Sequence, residues 1–533
     1  MKRLLPLIFI AFALCPAGLT AQGTHRVGIN SDGEAANHHS NHGGISADGR
    51  YVVFSSGATN LAPGDTSSGH EDVFVHDRWT GTTEIISKNP QKGPFGTIIF
   101  GNGRSFQPSI SADGRYVAFA SGATNLLVGT TTSSGQIFRY DRDTNTMELV
   151  SRNSQGDEAD SNCIEPSLSA DGSVVAFTSK ANNLSTLDNN NHIEDVYHRD
   201  LQTGVTTLVS LAPWWNGTSG HNTGPSISAD GRYVAFDGIW LFASDSNPNV
   251  YRWDAQTAAL ERVSNSLSGA QGNDLSADPS IAADGQSVAF RSKASDLVTN
   301  DSNGSTDVFV WNATTGSIIR GSLSETSTQL ASGAINGTLN GDGTLLAFST
   351  TSDDVLTGNG APVGGSFLRN LNSGEITHVS RDSSHQVVDA FGGGPIPSSD
   401  GQYVVYQSMD SRLAANGIPG VSDAYLYGGP HLQASGTCPG VMDFTITGAS
   451  PSAGVAIVWG WPTGAFVIPS GFPCNAVQLD LMPTWLPAPG YMIETSNANG
   501  EVMINATVPA SACGLGVQAL DMMNCTKSNL IIL

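Results

Sequence analysis

Seven times along the chain, a short polar stretch turns through Asp-Gly into a run that is apolar on both faces. Examples are Tyr51-Val52-Val53-Phe54, Tyr116-Val117-Ala118-Phe119 and Val174-Val175-Ala176-Phe177. A strand without a polar face is sandwiched between neighbouring sheets rather than laid against water. The stretch before each turn, such as Pro108-Ser109-Ile110-Ser111, predicts a first strand. Asp-Gly supplies the positive-φ positions of the hairpin that joins it to the second. A long loop then leads to a third apolar run, as in Asp72-Val73-Phe74-Val75-His76 and Asp307-Val308-Phe309-Val310-Trp311. A second tight turn follows, Thr80-Gly81 or Thr203-Gly204. The last run alternates polar and apolar residues, as in Thr83-Glu84-Ile85-Ile86-Ser87, which suits a half-exposed outer strand.

The turn aspartates are Asp48, Asp113, Asp171, Asp230, Asp284, Asp342 and Asp400, spaced 65, 58, 59, 54, 58 and 58 residues apart. Four antiparallel strands in a unit of that size form one blade of a propeller. Alternation and Asp-Gly punctuation exclude helical repeats. The predicted fold is therefore all-β, a seven-bladed β-propeller. Its register is offset at the two ends. Thr24–Ile29 read as a fourth strand with no first three before it, and the seventh unit stops after its third strand, Asp423–Tyr427. Residues 24–29 are expected to pair with 423–427 and close the ring, leaving no open edge between the first and last blades.

The phrase "PSISADGRYVAF…DVFVHD…TG…LVS" resembles the TolB-type, WD40-like β-propeller repeat of exported bacterial proteins, from residue 24 to about 429. Copies six and seven depart from it, with Gly341 and Ser399 in place of the turn alanine. The resemblance implies a propeller used for protein or glycan contact, in some cases beside an enzyme domain. It carries over no catalytic residue, because the shared positions are turn and core.

Composition adds a location. Lys2 and Arg3, the apolar stretch Leu4–Leu14 and the small residues before Gln22 read as a signal peptide over residues 1–21. The protein is thus expected to be secreted, periplasmic or at the cell surface. Without that segment, 22 basic residues stand against 47 acidic ones, a balance of −25. Such a chain repels nucleic acid and anionic lipid. No later run reaches the roughly 18 apolar residues of a membrane span. A monomer is expected.

The turns within blades are tight on one face, whereas on the other the second-to-third loops and the blade connectors are long. Binding residues favour long loops on a rigid scaffold, so the functional face is assigned to loops 55–71, 178–194 and 291–306 and to connectors such as 211–224. Two features stand out there. Asp301, Asn303 and Asp307 present oxygens at relative positions 1, 3 and 7, and Asp188, Asn190 and Asp195 come close to the same pattern. These residues suit either Ca²⁺ loops or Asx turns that start strand three; no bidentate Glu follows to complete a calcium motif. Trp214-Trp215, in a Gly/Asn-rich connector, suits either a stacking platform for a sugar ring or a plug between blades. His38, His39 and His42 form one polar connector. Neither a Gly-x-Ser-x-Gly elbow nor an HExxH motif occurs.

Beyond a linker at 430–437 the repeat ends. Residues 438–533 alternate short apolar runs with Pro/Gly turns and hold Cys438, Cys474, Cys513 and Cys525, which predicts a small disulfide-bearing β-sandwich-like domain. Two disulfides, each worth about 2–4 kcal/mol, have three possible connectivities; pairing 438 with 474 and 513 with 525 closes the shortest loops. Cys163 is left over. The function expected from these features is non-enzymatic binding of a protein or polysaccharide by the long-loop face. The alternative is a lyase or hydrolase acting on an extracellular glycan.

Overall fold

The structure is a computed structural model. It describes residues 23–428 except 66–69, 79, 94–95, 131–133, 189–191, 213–219, 357–363, 382–387, 389–392 and 414–419. Beyond residue 428 it describes only the backbone of strands between residues 431 and 532. The chain divides into two compact units, one built on Gly23–Gly429 and the other on Pro430–Ser528.

The first unit is a seven-bladed propeller. Blade one runs outward through Ser40–Ile45, Tyr51–Ser56, Asp72–Asp77 and Thr82–Ile85, and blades two to six repeat that order. The first strands of successive blades lie side by side around the axis. Blade seven takes Ile396–Pro397, Tyr403–Ser408 and Asp423–Gly428 from the chain's far end and Gly23–Arg26 as its outer strand. The register pairs Thr24 with Tyr427 and Arg26 with Tyr425, so the ring closes as its offset register requires.

The apolar second strands sit where no water reaches: Val52, Val53 and Phe54 are wholly buried, as are Val73 and Phe74 of the third strand. Each blade places one aromatic pair across these two strands. Phe54 stacks on Phe74 at 5.6 Å, Phe177 on Tyr197 at 5.8 Å and Tyr406 meets Tyr425 at 5.9 Å. Cross-strand pairs of this kind add about 0.5–1.5 kcal/mol beyond the area they bury.

The Asp-Gly turn also joins one blade to the next. Gly114 of blade two has φ +74° and lies so close to the Tyr51 ring of blade one that a Cβ would come within 2.1 Å of it. Gly172 meets Tyr116 and Gly285 meets Tyr233 in the same way. Guanidinium groups cover these rings: Arg50 and Arg142 lie over Tyr51, 4.6 and 4.3 Å from its centroid. At the tight-turn end of the axis, the small residues of the turns are linked main chain to main chain. Ala47 N–H donates to Ala112 O, Ala112 to Ala170, Ala170 to Ala229, Ala229 to Ala283, Ala283 to Gly341 and Gly341 to Ser399.

In the second unit, His431–Gly436, Gly440–Thr447 and Val502–Val508 form a three-stranded sheet. Gly454–Trp461 is the centre of a second sheet, between Gly516–Asp521 and Tyr491–Thr495. The four cysteines expected to form disulfides lie outside the described residues, as do residues 1–22.

Candidate functional site

At the end of the axis opposite the tight turns, the first strand of each of blades one to six carries a register shift where it pairs with the second. In blades two to six the residue at the shift takes the left-handed backbone: Gln107 (φ 49°), Glu165 (57°), Gly224 (62°), Asp278 (53°) and Asn336 (56°). A bulge there re-aims the side chain and leaves the ladder locally unpaired.

The re-aimed groups link blades to one another. Gln107 Oε1 accepts the Glu165 N–H at 3.1 Å. Glu165 Oε2 accepts Thr178 Oγ1 at 2.9 Å and the Gly224 N–H of the next blade at 3.0 Å. Asp237, paired with Thr223, accepts Thr223 Oγ1 at 3.2 Å and the Asp278 N–H at 3.3 Å. Arg291 pairs with the Asp278 carboxylate. Further out, Lys180 Nζ sits 2.7 Å from Glu194, whose other oxygen meets His221, and Arg104 lies 3.0 Å from Glu71. The long-loop mouth of the axis is thus a ring of mixed charge drawn from five blades.

The environments of these acids differ. Burial, helped by the neighbouring Asp278 charge, raises Asp237 to about 7. At Glu194 burial also opposes ionisation, but hydrogen bonds from Lys180 and His221 outweigh it and keep the carboxyl below its usual range. The mouth therefore combines Asp237, which gives up its proton near pH 7, with an ionised Glu194, and can both donate to and accept from hydroxyls or amides.

The loops singled out in the sequence prove to be bonded among themselves. Asn37 N–H donates to Asn60 Oδ1 and Thr59 N–H to Asn37 Oδ1, which locks connector to loop; Asn102 with Asn125 and Asp160 with Asn183 repeat the clasp. Asp301 and Asp307 are brought together, but around the Arg320 guanidinium, at 3.1 and 3.3 Å. Asn303 Oδ1 accepts the Ser305 N–H at 2.9 Å, which is an Asx turn, and its amide donates to Leu330 O. Asp188 accepts the Tyr197 hydroxyl at 2.7 Å, while Asp195 accepts Ser210 Oγ and the Asn222 amide. These carboxylates therefore already have partners within the protein. Among the described residues no group of three His, Cys, Asp or Glu side chains is arranged to hold a metal. Asn190, Trp214 and Trp215 lie outside the described residues. Of the three histidines of the first connector, His38 and His39 meet edge to face at 5.1 Å, His39 Nδ1 also meets Ser422, and half-buried His42 donates to the Gly394 carbonyl. Cys163 is buried against Ser179, and burial pushes its thiol up to about 12, away from reactivity.

Sequence reading missed Glu165, Asp237 and Asp278. A signal was present: the residue before Pro-Ser varies among Gln107, Glu165, Gly224 and Asp278 while its flanks repeat.

No protein-family profile matches the chain, and no curated protein does. Among solved structures it is similar to an oligogalacturonate lyase from Vibrio parahaemolyticus, at 13% identity and TM-score 0.43, over 76% of this chain and 93% of that one. It is also similar to TolB from Acinetobacter baumannii, at 16% and 0.32, over 75% and 78%. A third is the β-propeller domain of the Trilobed protease from Pyrococcus furiosus, at 11% and 0.44, over 74% and 94%. Likeness of this degree carries no activity, ligand or partner across to this chain.

Proposed function

We propose that this propeller is an exported, non-enzymatic binding protein that takes a polysaccharide or protein segment at the long-loop mouth of its axis. One observation carries the reading. At that end the bulged first strands of blades two, three, five and six carry Gln107, Glu165, Asp278 and Asn336, and charged side chains from five blades are linked to one another, whereas at the other end the small turn residues Ala47, Ala112 and Ala170 are joined main chain to main chain. Left-handed Gln107, Glu165, Asp278 and Asn336 add support. Non-glycine residues held there cost roughly 1–3 kcal/mol each and gather at ligand-binding sites. Export rests on the leader-like first 21 residues, and amino-terminal sequencing of the product recovered outside the cytoplasm should begin at Gln22.

Glycan-array and peptide-library binding with the full chain tests the mouth. Glu165→Ala combined with Asp278→Ala should weaken any captured ligand at least about ten-fold, a change of roughly 1.4 kcal/mol. Unchanged affinity would remove the site.

Asp237, raised to about 7 beside Glu165 and Asp278, favours a second reading, in which the same mouth acts on a glycan by general acid–base chemistry. A captured polysaccharide should then yield product, at a rate that changes as Asp237 loses its proton near pH 7. Capture without product decides for binding.

A further inference from the structure

We infer that the ligand of the mouth is a glycan and that Trp240 of blade four is the platform on which a sugar ring stacks, an inference that rests on the mouth reading above. The place of this residue in the repeat carries the argument. In blades one, two, three, five and six the loop between the second and third strands carries a buried apolar residue: Leu61, Leu126, Leu184, Leu297 and Val355. The residue before it closes the clasp. Asn60, Asn125, Asn183, Asp296 and Asp354 each accept a connector N–H at 2.9–3.1 Å. In blade four the buried residue is Leu241, and the clasp position holds Trp240. An indole has no acceptor to offer. The loop is also shorter: Phe54 and Leu61 stand seven positions apart, Phe236 and Leu241 five. Blade seven departs as well, but its Arg412 pairs with Asp410 of the same loop.

Where the other blades have a clasp, blade four has an exposed ring. Trp240 is 51% exposed, and among the described residues it is the one exposed Phe, Tyr or Trp. Its φ is +63°. That conformation is an outlier for so bulky a side chain and persists at ligand clamps. Blade four departs at the axis too. Gly224 stands at the bulge where its neighbours carry Glu165 and Asp278. A Cβ there would approach Asp237 Oδ1 to 2.9 Å, so a side chain at this position would crowd the Asp237 carboxyl. Asp237 and Trp240 are three residues apart, a span of at most about 10 Å of chain. The chemistry of this arc selects the ligand. A sugar ring turns an apolar face of C–H groups to an indole and hydroxyls to carboxylates, which accept them. Asp237, Glu165 and Asp278 supply those acceptors from blades three to five. A lysine- or arginine-rich peptide would also meet an indole face. Arg291, however, already pairs with Asp278 and places a positive charge in the same arc.

The full chain, probed against an array of neutral and acidic oligosaccharides and an array of lysine- and arginine-rich peptides, tests the inference. An oligosaccharide should be captured. Trp240→Ala should weaken its binding at least about ten-fold, whereas Trp240→Phe should stay within about three-fold of the unmodified chain. Trp240→Asn places a residue that tolerates the left-handed backbone at the same position. Its melting temperature should hold or rise while binding is lost. A lowered melting temperature in Trp240→Asn would make the indole a structural plug and overturn the inference, as would capture of peptides alone. Oligosaccharide binding that is weakened by Glu165→Ala with Asp278→Ala but not by Trp240→Ala would overturn the platform and keep the mouth. Binding indifferent to all three substitutions would remove both.

Discussion

Gly114 and Gly129 share a left-handed backbone but not a neighbourhood. Gly114 faces the Tyr51 ring, and Gly129 (φ +95°) has nothing within 4 Å. Gly129→Ala should therefore cost only the backbone penalty, about 1–2 kcal/mol. Gly114→Ala adds overpacking against the ring and should cost roughly 2–5 kcal/mol in all. Calorimetry on both variants checks the difference. Asp237 and Asp423 give a pH dependence of definite sign. Burial raises both to about 7, with Asp278 adding to the rise at Asp237 and Arg26 opposing it at Asp423. In the unfolded chain both return to near 4. The folded state thus binds more protons between about pH 4 and 7, so their contribution to stability is complete below pH 4 and is lost as pH rises through 7. The melting temperature should fall over that interval, and Asp237→Asn should flatten the fall; a slope as steep as that of the unmodified chain would contradict the assignment. At this scale the sequence was only partly readable. Glu165 and Asp278 each precede a Pro-Ser, but a pre-proline residue is ordinarily expected to be extended. Nothing local signals the left-handed bulge that re-aims them. It follows from crowding around an axis that only the assembled ring creates.

Strands and turns were the most legible elements, because each one's punctuation lies within a few residues of it. Long loops were the least, because their partners are remote: Asn37 clasps a loop 23 residues on, and Arg320 reaches back to Asp301. Counting oxygens along Asp301–Asp307 could not reveal that a guanidinium from the fourth strand occupies their midst. The consequence is measurable. With Asp301 and Asp307 both paired to Arg320, chelator and added Ca²⁺ should leave the melting temperature unchanged, whereas Arg320→Ala should destabilise by about 3–5 kcal/mol through the uncompensated buried charge. A chelator-sensitive melt would restore the calcium reading. The closing strand is the other element whose removal is informative. Deleting 23–29 strips the outer strand from blade seven and the Arg26 pin from Asp423. The whole ring, and not blade seven alone, should then melt lower. An unchanged transition would show that the pairing is incidental.

Over the whole molecule, blade number and closure were both readable from the offset register, since a fourth strand at one end and a missing one at the other leave a single solution. Loop length directed the sequence reading to the long loops, whereas the charged residues on which the proposed site rests, Glu165 and Asp278, lie inside those loops at the axis. One packing feature has a consequence for the ring's history. Every turn glycine is shaped to a particular neighbour: Tyr51, Tyr116, Tyr233 and Tyr403 face four of the seven, and Val174, Ser287 and Leu345 face the rest. A blade duplicated or excised next to one of the tyrosines would find a familiar surface, whereas one inserted beside Ser287 would meet a gap. Growth or loss of a repeat is thus easier in some sectors than in others, and the count of seven is guarded unevenly around the circle.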